Sequence, residues 1–214
     1  MMELLIADIS KEVLLNKAEE EIVKASFIVK KLRKRQYLMQ FGEVFRHLFF
    51  VEKGMLRAYL KGEKDVEHVI QFAPEGSWIP DSFHQLEDLE ALYNIDALEH
   101  SEVLYIDREI YQKLLAQVPK LEKYFRVAMQ KRLYALHMRV INYLTHFAED
   151  KYKMFVDFYP EIVQRVPQHM IASYLGIKPE TLSRNRKKMA TRKKEKEPVT
   201  ESKVQKATLP AVQD

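Results

Sequence analysis

The apolar residues of this chain change their period once, and the change divides it into two kinds of structure. From Phe27 to about Ile106 they come in short runs, FIVKKL, YLMQFGE, HLFFVEKG, MLRAYL, EHVIQFAPEG and EVLYID, separated by turn residues. Short runs rich in Val, Phe, Tyr and Ile, with glycines at the turns, predict an antiparallel sandwich or roll. Gly54 and Gly62 flank a predicted hairpin strand, Met55 to Lys61, and Asp107 reads as the N-cap of a short helix through Leu115. Pro119 then opens the longest helical pattern of the chain. Leu121, Phe125, Ala128, Leu133, Leu136, Val140, Leu144 and Phe147 recur at steps of three to five, mostly three or four. A break is expected near His137–Arg139, with further helices over about 139–150 and 153–163. Ahead of the strands, residues 8–25 have the spacing of one helix, with Ile9, Val13, Leu14, Ile22 and Val23 apolar. With 214 residues, 47% of them apolar, such a chain buries a real core in one or two domains.

The stretch VPQHMIASYLGIKPETLSRNRKK, Val166 to Lys188, carries a second signal. Ile171, Ala172 and Leu175 fall on one face of a helix, and Gly176, one of five glycines, stands where a left-handed turn would end it. Ile177 points back to the core, and Pro179 suits the first turn of a second helix that carries Leu182 inward. Glu180, Thr181, Ser183, Arg184 and Lys187 are left outward. Two helices across so short a turn predict a helix-turn-helix; an ordinary helical hairpin is the plainer reading, against which the polar and cationic outward face argues.

The net charge is only +4, but its distribution is uneven. Arg184, Arg186, Lys187, Lys188, Arg192, Lys193, Lys194 and Lys196 face the single acid Glu195 over that span. A basic block beside a helix-turn-helix is the electrostatic footprint of phosphate binding. After Ala190 no apolar periodicity is left, and 191–214 reads as a flexible basic tail. The absence of cysteine excludes disulfides and thiol redox chemistry and suits a reducing cytoplasm. The N-terminal MMELLIADISKEVLL makes a poor signal peptide, and no apolar run reaches membrane-span length, so a cytoplasmic protein without a membrane partner is expected.

The order of these parts, a β-roll, a long helix and a helix-turn-helix, resembles the Crp/Fnr superfamily of bacterial transcription regulators. LFFVEKGMLRAYL (48–60) is similar to the family's glycine-turned strands, DALEHSEVLYIDRE (96–109) to its last strand and the entry to the next helix, and PQHMIASYLGIKPETLSRNRKK to its DNA-binding element. The resemblance covers roughly residues 8 to 190 and implies an α+β fold. An antiparallel β-roll like that of cyclic-nucleotide-binding domains (1–115) would lead into a dimerisation helix (116–138) and an all-α helix-turn-helix domain (139–190). Strands of a wing after the second helix are not evident, so a reduced or absent wing is expected.

The family's second helix carries a Glu-Thr pair and, three residues after the Thr, an Arg, which fall here on Glu180, Thr181 and Arg184. Arg can fork onto guanine O6 and N7, and Glu can accept from cytosine N4. Gln168, Thr181 and Ser183 can bond phosphates and fix register, while Lys178, Arg186, Lys187 and Lys188 supply charge. Pro179 stands where some relatives carry a further Arg, and Asn185 where the family places an apolar residue against the core. The stripe through Leu121, Phe125, Ala128, Leu133 and Leu136 can pack on the roll or form a dimer seam. A paired helix-turn-helix needs a partner to span two half-sites, which favours the homodimer.

Relatives that bind cyclic nucleotides carry Gly-Glu and, further on, Arg-Ser or Arg-Thr around the phosphate. In GSWIPDSFHQLEDLEALYNIDALE, Pro80-Asp81 and Ala91-Leu92 occupy those places, and no Arg or Lys occurs between Lys64 and Arg108. Cyclic AMP is therefore not expected as the effector. Trp78, Asp81, Phe83, Leu92 and Tyr93 are candidates to line a site for another small molecule; core packing of these apolar residues is the alternative. A cupin-type metal enzyme is the other reading of a β-roll, with the C-terminal helices serving assembly. The histidines here are solitary, with no His-x-His and no Gly-x-Ser-x-Gly, so no metal, cofactor or catalytic residue is assigned. The partners expected are an operator duplex, a second copy, a small effector and RNA polymerase.

Overall fold

The computed structural model describes residues 2–44, 46–79 and 90–196. The N-terminal region holds two helices rather than the single one expected: α1, Glu3–Ser10, and α2, Lys17–Ser26. Asn16 separates them by capping α2. Its side chain accepts from Glu19 N–H, and the Glu19 carboxylate accepts from Asn16 N–H, a reciprocal capping box.

Among the described residues seven strands follow: β1 (Ile28–Leu32), β2 (Tyr37–Met39), β3 (His47–Lys53), β4 (Leu56–Lys61), β5 (Glu67–Ala73), β6 (Asn94–Ala97) and β7 (Ser101–Asp107). They form two antiparallel sheets, ordered β1-β7-β3 and β2-β6-β4-β5. Period-2 alternation assigns each side chain to a layer. In β3, Phe49 and Val51 point into the roll with Leu56, Ala58, Ile95 and Val103, while Leu48 and Phe50 face the opposite side with Leu104 and Ile106. Gly54 makes the β3–β4 turn at φ 90°, and a Cβ there would lie 2.7 Å from the His100 carbonyl oxygen and 2.8 Å from Ser101 Cα. Only glycine fits so close to another backbone.

The outer face of the β1-β7-β3 sheet is closed by α1, α2, α3 (Arg108–Gln117) and the start of α4 (Lys120–Thr145). Asp107 caps α3, its side chain accepting from Glu109 N–H at 2.8 Å. Trp78 sits in this layer against Phe50 and Phe125, and its Nε1–H donates to Tyr124 Oη at 2.9 Å, while Tyr124 Oη–H donates to Asp8 at 2.6 Å. The long helix differs from expectation in two ways. It runs unbroken through His137–Arg139 to Thr145, since no Gly or Pro interrupts it. And Leu121 and Phe125, expected in an intersubunit seam, are buried in their own subunit's core at 1% and 5% exposure.

Four helices complete the described chain: α5 (Ala148–Phe158), α6 (Pro160–Arg165), α7 (Gln168–Leu175) and α8 (Pro179–Lys196). Residues 191–196, expected in the tail, continue α8, because MATRKKEK contains good helix formers and no breaker before Pro198. The rest of the expected tail, 197–214, lies outside the described residues. Among the described residues no strand follows Asp107, and no helix is long and apolar enough to cross a membrane; the place of a wing after α8 lies outside the described residues.

Candidate nucleic-acid interface

Helices α7 and α8 meet at Gly176, which takes the left-handed conformation (φ 65°, ψ 35°). Ile177 N–H reaches back to the Ala172 carbonyl at 3.0 Å, satisfying a terminal acceptor of α7 as a left-handed helix end does. The inner faces of the pair carry Ile171, Ala172 and Leu182, fully buried with Tyr152, Phe155, Ile162 and Val166 of α5, α6 and the chain following α6. This fixes which side of α8 looks outward.

On that side Glu180, Ser183, Arg184, Arg186 and Lys187 are exposed, as is Lys178 just ahead of the helix, and Thr181 is half-buried. Glu180, Arg184 and Lys187 lie at i, i+4 and i+7, so they share a face. Two of the nine candidates are placed otherwise. Lys188, expected to offer charge to DNA, pairs with Glu149 of α5 (Nζ to Oε2 2.6 Å), because α5 packs alongside α8. Gln168, expected to bond a phosphate, has its Oε1 buried and without a hydrogen-bond partner among the described residues, because α7 begins against the core. The Asn185 Nδ2 is buried in the same way.

The sequence gives no signal for what holds this head to the roll. Ser173 of α7 lies along the β5 edge: its Oγ accepts from Val69 N–H at 2.9 Å and donates to the Glu67 carbonyl at 2.8 Å. Arg165, at the end of α6, forks onto Glu75 (2.8 and 2.9 Å) and also donates to Glu99. Burial alone would raise the Glu75 carboxyl, but the Arg165 guanidinium and the Gly54 N–H hold it below the usual carboxylate value. Arg139 of α4 donates to the carbonyls of Ile70 and Tyr174 and stacks over the Tyr174 ring, bridging roll and head. These partners lie tens of residues apart in sequence, so no local pattern marks them.

Of the proposed effector residues, the three described ones, Trp78, Leu92 and Tyr93, do not come together. Trp78 belongs to the core beneath the roll, held by four aromatic neighbours and its bond to Tyr124, because its indole is large enough to fill that layer. Tyr93 is packed inside the roll, whereas Leu92 is 68% exposed. Asp81 and Phe83 lie outside the described residues. Ala91, at the place of the phosphate-binding Arg, is buried and ties into the 40–44 turn through Ala91 N–H to Glu43 O and Gly42 N–H to Ala91 O, both 2.8 Å. The roll's buried cation, Arg57, is already bound by two carboxylates, Asp96 (2.8 and 3.0 Å) and Glu67. It lies on the sheet face opposite Leu56 and Ala58, which fill the interior.

Residues 29–118 match the family model of the cyclic nucleotide-binding domain. No curated protein matches the chain in sequence. Several solved structures match it in fold. FixK2 from Bradyrhizobium japonicum superposes with a TM-score of 0.64 at 16% identity, over 78% of this chain and 86% of its own. CLP of Xanthomonas campestris, described as a c-di-GMP responsive global regulator, gives 0.64 at 15% identity over 83% and 93%. A protein from Eubacterium rectale assigned to the Crp/Fnr family of transcriptional regulators gives 0.62 at 17% identity over 83% and 85%. The chain has the fold of Crp/Fnr-type regulators, with a cyclic-nucleotide-binding-type roll followed by C-terminal helices.

Proposed function

We propose that this chain, whose fold is that of the Crp/Fnr-type regulators, is a homodimeric cytoplasmic transcription regulator that binds operator DNA through α7 and α8. It is a binding protein, not an enzyme. The observation that carries the reading is the row Glu180, Arg184 and Lys187 along the exposed side of a helix whose other side is locked into the head by Leu182. A rigidly seated helix offering an Arg, a Glu and hydroxyls at one end can enter a major groove and tell base pairs apart. The roll is the sensor, and an effector bound there would act by population shift between head orientations.

That effector is not a cyclic nucleotide, because the position of the phosphate-binding Arg holds a buried Ala91 and the segment from Asp65 to Asp107 supplies no Lys or Arg. Calorimetry with cyclic AMP should show no saturable heat; micromolar binding would overturn this part of the reading. The base-reading role is tested on a duplex enriched from genomic DNA by the protein itself, against a random duplex. Arg184→Ala should weaken the enriched duplex by about 1–3 kcal/mol and leave the random one nearly untouched. An equal loss on both would make Arg184 a phosphate contact and remove the assignment of α8 as the reading helix.

A further inference from the structure

The end of β1 and the turn that leads to β2 concentrate more positive charge than any other six residues of the chain: Lys30, Lys31, Leu32, Arg33, Lys34 and Arg35 hold five cations. All five are exposed, and Leu32 alone turns inward, at 2% exposure. Lys31 shares a loose contact with Glu102 at 3.5 Å, while Arg33, Lys34 and Arg35 have no ion pair among the described residues. Arg57 and Arg165, by contrast, are each bound by two carboxylates. Like charges this dense repel one another and, apart from the loose Lys31–Glu102 contact, find no ion pair among the described residues, which points to a polyanionic partner.

The turn is also held in shape. Arg35 takes a left-handed conformation (φ 68°), its N–H bonded to the Ala97 carbonyl at 2.7 Å, and Ala97 N–H returns to Gln36 O at 3.0 Å. Gln36 closes the turn a second time, its Oε1 accepting from Arg33 N–H at 2.9 Å. Four of the cations, Lys31, Arg33, Lys34 and Arg35, line a wide, shallow groove of about 740 Å³ together with His100. Only Leu32 among its lining residues is apolar, and it is buried. A protein partner would need apolar anchors at the centre of such a surface, whereas a phosphate backbone needs only cations and donors at its own spacing.

The groove lies on the side of the roll where the head is attached. His100 follows Glu99, which receives Arg165, and Arg165 is three residues before Gln168, where the helix-turn-helix begins. From this geometry we infer that the β1–β2 turn is a second DNA-contacting surface, which takes the phosphate backbone of duplex flanking the site read by α8. The inference rests on the DNA-binding reading proposed above and adds to it a roll-borne contact for bent or wrapped flanks.

The test uses the full chain and duplexes that carry the genomically enriched site at their centre, of about 20 base pairs, enough for two half-sites a helical turn apart, and of about 60 base pairs, across a salt series. Three proteins are compared: the wild type, Lys31→Gln/Arg33→Gln/Lys34→Gln, and Arg184→Ala/Lys187→Ala in α8. The turn variant should bind the long duplex roughly tenfold more weakly, with the salt slope reduced by about 0.9 per lost phosphate contact, and should bind the short duplex as the wild type does. Unchanged affinity for the long duplex would overturn the inference and leave the groove to an acidic protein. So would an equal loss on both lengths, which would place the turn within the central footprint. The α8 variant separates the two readings: if it keeps full affinity for the short duplex, the assignment of α8 fails and this inference falls with it.

Discussion

Asn185 places an amide where the head of the molecule has no use for one. Its Nδ2 is buried without a partner among the described residues, on the helix that Leu182 anchors. A buried donor left unpaired costs about 1–3 kcal/mol, which an apolar side chain of similar size does not incur. Asn185→Leu should therefore raise the stability of the head by about 1 kcal/mol, read as a higher thermal midpoint at unchanged dimer concentration. A lower midpoint would mean that Asn185 finds a partner in solution and that its polarity supports the seat of α8. Single residues were unevenly legible. In the sequence Asn185 stands out as a polar residue where the resembled family places an apolar one, and Gly176 by its rarity and its place after a helical pattern. Arg57, buried, and Arg165, half-buried, do not stand out, because each is marked only by carboxylates that the fold brings from distant strands and loops.

At the scale of elements, the period of the apolar residues located most of the strands and the long helix but not their partners. β6 is four residues long, NIDA, with no alternation to reveal it, and one continuous helical spacing concealed the break at Asn16. The α4 stripe is the more instructive case. Its first turns, Leu121 and Phe125, serve the subunit's own core, and the apolar residues left exposed begin only at Met129. Met129, Leu133, Leu136, Val140 and Tyr143 then follow steps of 4, 3, 4 and 3, the spacing of a two-helix seam, all of them exposed. A sequence stripe cannot tell an internal from an external partner, since both demand the same spacing. The seam proposed here is therefore the second half of the helix. Leu136→Glu should give a folded monomer in sedimentation where the wild type gives a dimer. Phe125→Glu, by contrast, should unfold the roll, because it buries a charge among Trp78, Tyr111 and Tyr124. An unaltered dimer in Leu136→Glu would move the seam away from this half of α4.

In the whole molecule, the head and the roll are joined at an edge that would otherwise stay open. β5 is the outer strand of its sheet, and its outward Val69 N–H and Glu67 carbonyl are met not by another strand but by the hydroxyl of Ser173. One side chain of α7 thereby covers the unpaired edge, while Phe72 on the same strand packs against Phe155 and Tyr174 of the head. Arg165, bound to Glu75 and Glu99, fixes the approach from the other end of α6. If the head undocks as a unit when the regulator changes state, the Val69 amide reports it directly. Its protection then depends on a side chain of the moving part, whereas the amides of β6, between two strands, do not. Removing one such bond is worth about 0.5–1.5 kcal/mol, and removing the Arg165 clamp as well frees the whole contact. Ser173→Ala/Arg165→Ala should accordingly speed hydrogen exchange at Val69 by roughly tenfold and leave the β6 amides unchanged. Equal acceleration throughout the roll would show that the head is part of one cooperative unit with it. Unchanged exchange at Val69 would show that the β5 edge is protected without the head, and that the docking seen here does not govern head movement.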